Sequence, residues 1–213
     1  MAKLYFKFGA MGSSKTAQAL ITKFNYEERG MKVLFLKPSV DTRVGGNIVW
    51  SRIGLKAEAT LISPKENLEK LYLEKKETAN VIIVDECQFL TEKQVDELGD
   101  VALFYDVPVL CFGLATDFTT KLFEGSKRLF EIAESITEIK SICRCGSKAT
   151  VNARLDENGR VLNKGEQFCL GGNDRYQAMC RRCWLEKLKE QGDIQRKEFE
   201  HEIEREIVVR GEK

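Results

Sequence analysis

The chain has 213 residues, 43% of them hydrophobic and 31% charged, and its 34 basic and 33 acidic side chains leave a net charge of +1. That length suits one medium domain with a small appendage and a substantial core, while the balanced charge supplies no global field for nucleic acid or an anionic membrane. No apolar stretch has spanning length and no signal-peptide pattern follows Met1, so the expectation is a cytoplasmic protein without membrane or nucleic-acid partners.

The alternating run Leu4-Tyr5-Phe6-Lys7-Phe8 reads as a strand. Gly9-Ala10-Met11-Gly12-Ser13-Ser14-Lys15-Thr16 follows it and opens a helical pattern carrying Ala17, Leu20, Ile21 and Phe24, with Gly30 as its stop. Strand, small-residue turn and helix N-terminus make a phosphate cradle, in which Lys15 reaches the β- and γ-phosphates and the Thr16 hydroxyl helps hold Mg²⁺. The usual pattern G-x-x-x-x-G-K-S/T has glycine where this chain has Ser14. The tight turn is therefore expected at Gly12, so that Ser14 need not be left-handed. Taken alone, the loop reads equally well as a Gly/Ser turn before a helix.

Met31 to Leu36 is the second strand, and the strand–loop–helix–strand unit implies a parallel α/β sheet with its ligand at the strand C-terminal edge. Val40 to Gly54 has no clean period and reads as a loop; Asp41 and Arg43 fall just past the strand end, where phosphates and metal lie in such folds, although a solvated loop is the simpler reading. Ser63-Pro64-Lys65-Glu66 predicts a helix start, running to about Lys75. Val81-Ile82-Ile83-Val84 is a β-branched run suited to a central strand buried on both faces. Asp85 and Glu86 end it, Asp85 placed for Mg²⁺ and Glu86 for accepting a proton from an attacking hydroxyl; the alternative is that both mark the turn into Gln88-Phe89-Leu90. Thr91-Glu92-Lys93-Gln94 is a capping box for a helix to about Asp106. Val109 to Phe112 is the next buried strand, and Phe89, Phe118 and Phe123 beyond the strands are either core or the walls of a slot for a planar ring.

Near Thr137 the composition changes. Cys143-Arg144-Cys145 and Cys180-Arg181-Arg182-Cys183 offer four thiolates for a closed, structural tetrahedral Zn²⁺ site, with four free thiols as the alternative. Between them Ala149 to Leu155 and Glu166 to Leu170 read as a small hairpin whose core needs the metal. Cys87, Cys111 and Cys169 sit in or beside apolar runs as buried small hydrophobes. The chain thus divides into a nucleotide-binding domain over 1–138, a zinc-binding module over 139–190 and a charged tail over 191–213, where Ile194, Phe199, Ile203, Ile207 and Val208 are spaced like one helical face. The lone histidine, His201, lies in that tail, which argues against histidine-dependent chemistry.

In combination GAMGSSKT, the DTR after the second strand, VIIVDECQFL, CFGLATDF, the two cysteine pairs and GGNDRY resemble the type II thymidine kinases, in order from Lys3 to Trp184. The resemblance implies an α/β P-loop domain of RecA-like type, its parallel sheet covered by helices on both faces, with a zinc-stapled β-rich lid. The implied reaction is transfer of the ATP γ-phosphate, with Mg²⁺, to the 5′-hydroxyl of thymidine and of deoxyuridine, a nucleotide-salvage step for DNA synthesis. Glu86 is then the general base. Gly9, Met11, Gly12, Ser13, Ser14, Lys15 and Thr16 hold the nucleotide, Asp85 serves the metal, Arg43 the phosphate charge and Asp41 the sugar or metal region. The base pocket falls to Met11, Phe89, Leu114, Phe118 and Phe123, closed by Tyr176, with the thymine edge read by the main chain from Gln167 through Cys169 and Gly171 to Gly172. Such enzymes are homotetramers inhibited by dTTP. A zinc-containing nucleic-acid-dependent ATPase is the rival class, disfavoured because the basic cluster Lys187 to Lys189 is interleaved with acids. A GTP-binding module lacks its N-K-x-D signature, since Asn163-Lys164-Gly165-Glu166 ends in the wrong residue and lies in the zinc region.

Overall fold

A computed structural model describes residues 1–41, 46–75, 79–167 and 175–192. In chain order the strands are β1 (Leu4–Phe8), β2 (Val33–Pro38), β3 (Ile48–Trp50), β4 (Lys56–Glu58), β5 (Thr60–Ile62), β6 (Val81–Val84), β7 (Val109–Gly113), β8 (Ser135–Glu138), β9 (Val151–Leu155), β10 (Val161–Leu162) and β11 (Tyr176–Met179). The helices are α1 (Lys15–Glu27), α2 (Leu68–Lys75), α3 (Glu92–Phe104), α4 (Glu124–Ile132) and α5 (Arg181–Glu190). Six strands pair in parallel in the order β5-β2-β6-β7-β1-β8. This order puts β7 between the strand that feeds the glycine-rich loop and the strand that ends in Asp85.

The two-residue period of the strands sorts the core. Ile82 and Val84 of β6, with Leu34 and Leu36 of β2, face α2, α3 and α4 through Leu68, Leu71, Val95, Leu98, Val101 and Leu129. Val81 and Ile83, with Phe35, Leu110 and Phe112, face the other way onto Ala19 and Leu20 of α1 and Val49 of β3. All four residues of β6 are at most 1% exposed, so the uninterrupted β-branched run has the two covered faces it requires. Each fully buried aliphatic side chain here contributes about 1.5–3 kcal/mol relative to exposure. Cys87 and Cys111 are buried in the first of these clusters, as small hydrophobes; Cys169 lies outside the described residues.

Several boundaries differ from expectation. The second strand is shifted to Val33–Pro38. The stretch read as a loop contains the antiparallel hairpin β3–β4, whose three-residue strands are too short to show a period. Ser63 and Glu66 do bond to one another, the Ser63 N–H donating to Glu66 Oε2 at 3.0 Å, but they close a turn, and the helix starts at Leu68. Asn67 accepts from the Lys70 N–H there at 2.6 Å. Glu97 of α3, 6% exposed, accepts from Asn67 Nδ2 and the Leu68 N–H at 2.7 Å each, placing its charge at the positive end of α2. The capping box at Thr91 forms as read, with both reciprocal bonds to Gln94.

The C-terminal part is a three-stranded antiparallel sheet in the order β10-β9-β11, with α5 packed on it. Its expected hairpin is corrected. Val151–Leu155 is a strand, but it pairs with Val161–Leu162 and Tyr176–Met179; Glu166 and Gln167 lie in no strand, and 168–170 are outside the described residues. The tail beyond Gly192, with His201, is also outside them. No helix among the described residues is long and apolar enough to cross a membrane.

Candidate active site

The loop after β1 is pinned at its start. The Gly9 N–H donates to Gly113 O at 3.3 Å, and a Cβ on Gly9 would sit 2.2 Å from Ile139 O and 2.6 Å from Ser13 Oγ, so only glycine fits. Gly12 has φ 77°, as the reading of the tight turn requires, but Ser14 has φ 62° and ψ 22° and is left-handed too. The turn is therefore shared between the two positions instead of being moved from one to the other, and this corrects the expectation for Ser14. The serine makes no side-chain cap bond to α1, so a penalty of about 1–2 kcal/mol for the left-handed backbone stands without local relief. Ser14→Gly is accordingly expected to stabilise the protein by up to about 1 kcal/mol, after the extra chain entropy of glycine is deducted. Thermal melting measures this, and a lowered melting temperature would contradict it.

Lys15 is 9% exposed, and its ammonium lies inside the loop, donating to Gly9 O at 3.0 Å, Ala10 O at 2.9 Å and Ser13 Oγ at 3.3 Å. Its charge thus sits among loop atoms where backbone N–H groups and the α1 N-terminus favour an anion.

β6 delivers the acids to the same edge. Asp85 is 4% exposed, with Oδ1 3.4 Å from Thr16 Oγ1. Burial, aided by the charge of Glu86, pushes the Asp85 carboxyl up to about 7, against the opposing pull of the Thr16 hydroxyl, the Glu86 backbone N–H and Lys15. Two hard oxygen ligands side by side, one a buried carboxyl short of compensating charge, suit Mg²⁺. Glu86 is left-handed, φ 54° and ψ 39°, at the entry to a 3₁₀ turn over Cys87–Phe89. Strained non-glycine residues at a sheet edge are a recurrent mark of functional sites, and here Ser14 and Glu86 both carry one.

A cavity of about 340 Å³ brings together Met11, Gly12, Ser14, Lys15, Thr16, Asp41, Asp85, Glu86 and Leu114. Its remaining wall comes from Ala17, Lys37 and the hairpin segment 48–53, which sequence reading took for open loop. Lys37 and Asp41 are buried at 2% and 6% and pair at 3.4 Å, and the Lys37 ammonium donates to Ile48 O at 3.3 Å, fastening β3 to the end of β2. The other aromatic candidates lie elsewhere. Phe89 and Phe123 meet edge to face, centroids 5.8 Å apart. Phe118, 1% exposed, lies under the guanidinium of Arg154 at 3.8 Å. Tyr176 lines a second cavity, of about 350 Å³, with Arg154 and Asp156. Gln167 is exposed, its Nε2 3.5 Å from Leu122 O. Arg43, Cys169, Gly171 and Gly172 lie outside the described residues.

Sequence reading missed the residues that join the small antiparallel sheet to this site. Asn152 of β9 accepts from the Met11 N–H at 2.7 Å and donates to Thr116 O at 3.0 Å. Arg154 donates to Glu166 O at 3.0 Å while stacking on Phe118, and Ala10 of the phosphate loop packs in the same apolar cluster as Cys143 and Cys180. Asn152 and Arg154 are 4% and 8% exposed; polar residues at buried strand positions were the available signal, but alternation alone does not say what they face.

The four cysteines converge. Cys143, Cys145, Cys180 and Cys183 place their sulfurs within 4.8 Å of one another, with Cys145 and Cys180 3.6 Å apart. Tetrahedral thiolates at about 2.3 Å from zinc lie about 3.8 Å apart, so the spacing fits that ion. Cys180 caps α5, its sulfur accepting from the Cys183 N–H. Bonding to Ser147 lowers the Cys145 thiol to about 6. Thiol neighbours Cys180 and Cys145 push Cys183 up to about 12. The cluster is thus consistent with a zinc site, where a divalent metal would let all four thiols ionise.

A phosphate loop and an acidic strand end meeting at the C-terminal edge of a RecA-like sheet put this fold in the P-loop nucleotide-binding class. Within that class the sequence is specific: the profile of the family described as thymidine kinase matches residues 2–184, and the chain belongs to that family. It is 46% identical over 190 residues to the thymidine kinase of Zymomonas mobilis, covering 88% of this chain and 98% of that protein. It is 45% identical to that of Rhodopirellula baltica, over 91% and 92% of the two chains, and 44% to that of Enterobacteria phage T4, over 90% and 100%. A solved Pif1 helicase from Candida albicans overlaps at a TM-score of 0.37 and 16% identity, over 67% of this chain and 37% of that one, a likeness too slight to bear on function.

Proposed function

We propose that the chain is a thymidine kinase, transferring the γ-phosphate of ATP to the 5′-hydroxyl of thymidine and, as a second substrate, deoxyuridine. The observation that carries this is the single cavity in which Lys15, Thr16, Asp85 and Glu86 converge, in a member of the thymidine kinase family. The loop from Gly9 to Thr16 cradles the triphosphate, with Lys15 turning from its loop acceptors to the phosphates. Thr16 and Asp85 hold Mg²⁺, which neutralises phosphate charge when bound, and Arg43 adds to that neutralisation. Glu86 accepts the proton of the 5′-hydroxyl as its oxygen bonds to the γ-phosphorus; the bond to the ADP oxygen breaks, and the proton leaves from Glu86 after product release. Positioning and charge neutralisation suffice for this chemistry, and no cysteine or histidine nucleophile takes part.

Thymidine is read as lying against Met11 and Leu114, with Phe89, Phe118, Phe123 and Tyr176 shaping the base site and main-chain groups of 167–172 taking the thymine edge. The four cysteines hold structural Zn²⁺. The division into 1–138, 139–190 and 191–213 follows, with the zinc module acting as a lid through Asn152 and Arg154. A cytoplasmic homotetramer inhibited by dTTP completes the reading, and the exposed apolar side chains Ile21, Phe24, Leu103 and Phe104 on α1 and α3 are consistent with assembly. Incubation with ATP, Mg²⁺ and each nucleoside in turn should yield thymidine 5′-monophosphate from thymidine. DNA-stimulated ATP hydrolysis without thymidine turnover would favour the ATPase reading instead.

A further inference from the structure

We propose that Gln88 is a positioning residue for Glu86, holding its carboxylate in the orientation that accepts the nucleoside proton; this rests on the reading of Glu86 as general base. Gln88 is 2% exposed. Its Nε2 donates to Glu86 Oε2 at 2.5 Å, and its Oε1 accepts from the Leu114 N–H at 3.0 Å. Those two partners fix the amide completely. A backbone N–H can be met only by the oxygen end of a glutamine, so the NH₂ end must face Glu86. Leu114 is itself held from its other side, its carbonyl accepting from Ser126 Oγ at 2.6 Å.

The surroundings pack closely on the amide oxygen and on the turn that carries it. A Cβ on Gly113 would fall 2.6 Å from both Gln88 Oε1 and Cys87 Sγ and 3.1 Å from the Gln88 nitrogen, and one on Gly125 would fall 2.8 Å from Cys87 O. The 3₁₀ turn is thus clamped between the end of β7 and the start of α4, and it carries Glu86 in at φ 54°. A glutamate χ3 torsion is broad when unrestrained. A general base has to lie within about 2.6–3.2 Å of its proton along a usable lone pair. Bonding Oε2 to a fixed amide sets the plane of the carboxylate before substrate arrives. The sequence shows only Asp85-Glu86-Cys87-Gln88, in which Gln88 reads as the first residue of an apolar turn; the contact with Leu114, 26 residues later, depends on β6 and β7 being neighbours.

The test is a set of four enzymes: wild type, Gln88→Met, Glu86→Gln and the double variant, each checked for fold by thermal melting. Gln88→Met is expected to lower kcat about tenfold to a hundredfold, with both KM values within about twofold of wild type. In the Glu86→Gln background the same substitution should cost nothing further, because its effect passes through Glu86. Gln88→Asn, which keeps the amide but cannot span both partners, serves if Gln88→Met does not fold, and the same losses are expected. An equal loss in both backgrounds, or a rise in KM at unchanged kcat, would show a merely structural role and overturn the proposal. Slow Glu86→Gln with wild-type turnover in Gln88→Met overturns the positioning role alone, whereas wild-type turnover in Glu86→Gln overturns the base assignment and the positioning role with it.

Discussion

Glu86→Gln is expected to lower kcat by about a hundredfold or more while thymidine and ATP binding stay near their wild-type strength, the scale of effect of losing a general base. The substitution preserves volume, and the new amide still presents an oxygen to Gln88 Nε2, so the local arrangement that holds Glu86 at 2.5 Å need not change. What disappears is proton affinity. The residual rate comes from the phosphate loop, the metal site and the alignment of the hydroxyl, which leave much of the acceleration intact in phosphoryl transfer. Steady-state kinetics together with calorimetric binding of each substrate separates the two quantities. Unchanged turnover would remove Glu86 from the mechanism and leave Asp41 and Asp85 as the other acids among the described residues lining the cavity.

Loss of zinc should have the second-largest effect. Metal analysis of folded protein is expected to find about one zinc per chain, and Cys145→Ser to lower both zinc content and activity together. A structural zinc supplies on the order of 10 kcal/mol or more of folding free energy, beyond what a module this small obtains from its own apolar core. In that core the buried side chains are alanine and cysteine apart from Val161, Met179 and Leu188. Without the metal the pairing of β9 with β10 and β11 loses its staple, and with it go the Asn152 bonds to Met11 and Thr116 and the Arg154 contact with Phe118. Activity should therefore fall although Cys143, Cys145, Cys180 and Cys183 do not line the cavity. Zinc-free protein that is folded and fully active would sink the four-thiolate assignment.

Local residue patterns account for much of the fold. The run Val81 to Val84 announces a strand covered on both faces because alternation is not needed where both faces are apolar. Thr91 and Gln94 announce a helix start because their reciprocal bonds are local to one turn, and the structure has both. Ser63 and Glu66 carry the same local signal and fail as a helix start, because Glu97 on another helix supplies the charge that caps α2 from Leu68. Local pattern measures only what residues a few positions apart can do for one another.

The division between sequence and tertiary structure is clearest at the site itself. Residue order and chemistry by themselves determined that a phosphate loop, an acidic strand end and a four-cysteine cluster exist, since each is a contiguous motif or a closely spaced pair. Only the fold decided that these meet: β7 inserts between β6 and β1, which brings Asp85 to 3.4 Å from Thr16 across 69 positions of chain. Only the fold decided, too, that Ser14 takes a left-handed backbone beside Gly12, that the β3–β4 hairpin walls the cavity, and that Gln88 spans Glu86 and Leu114. Those features depend on contacts between segments distant in sequence, which residue spacing does not encode and close packing imposes.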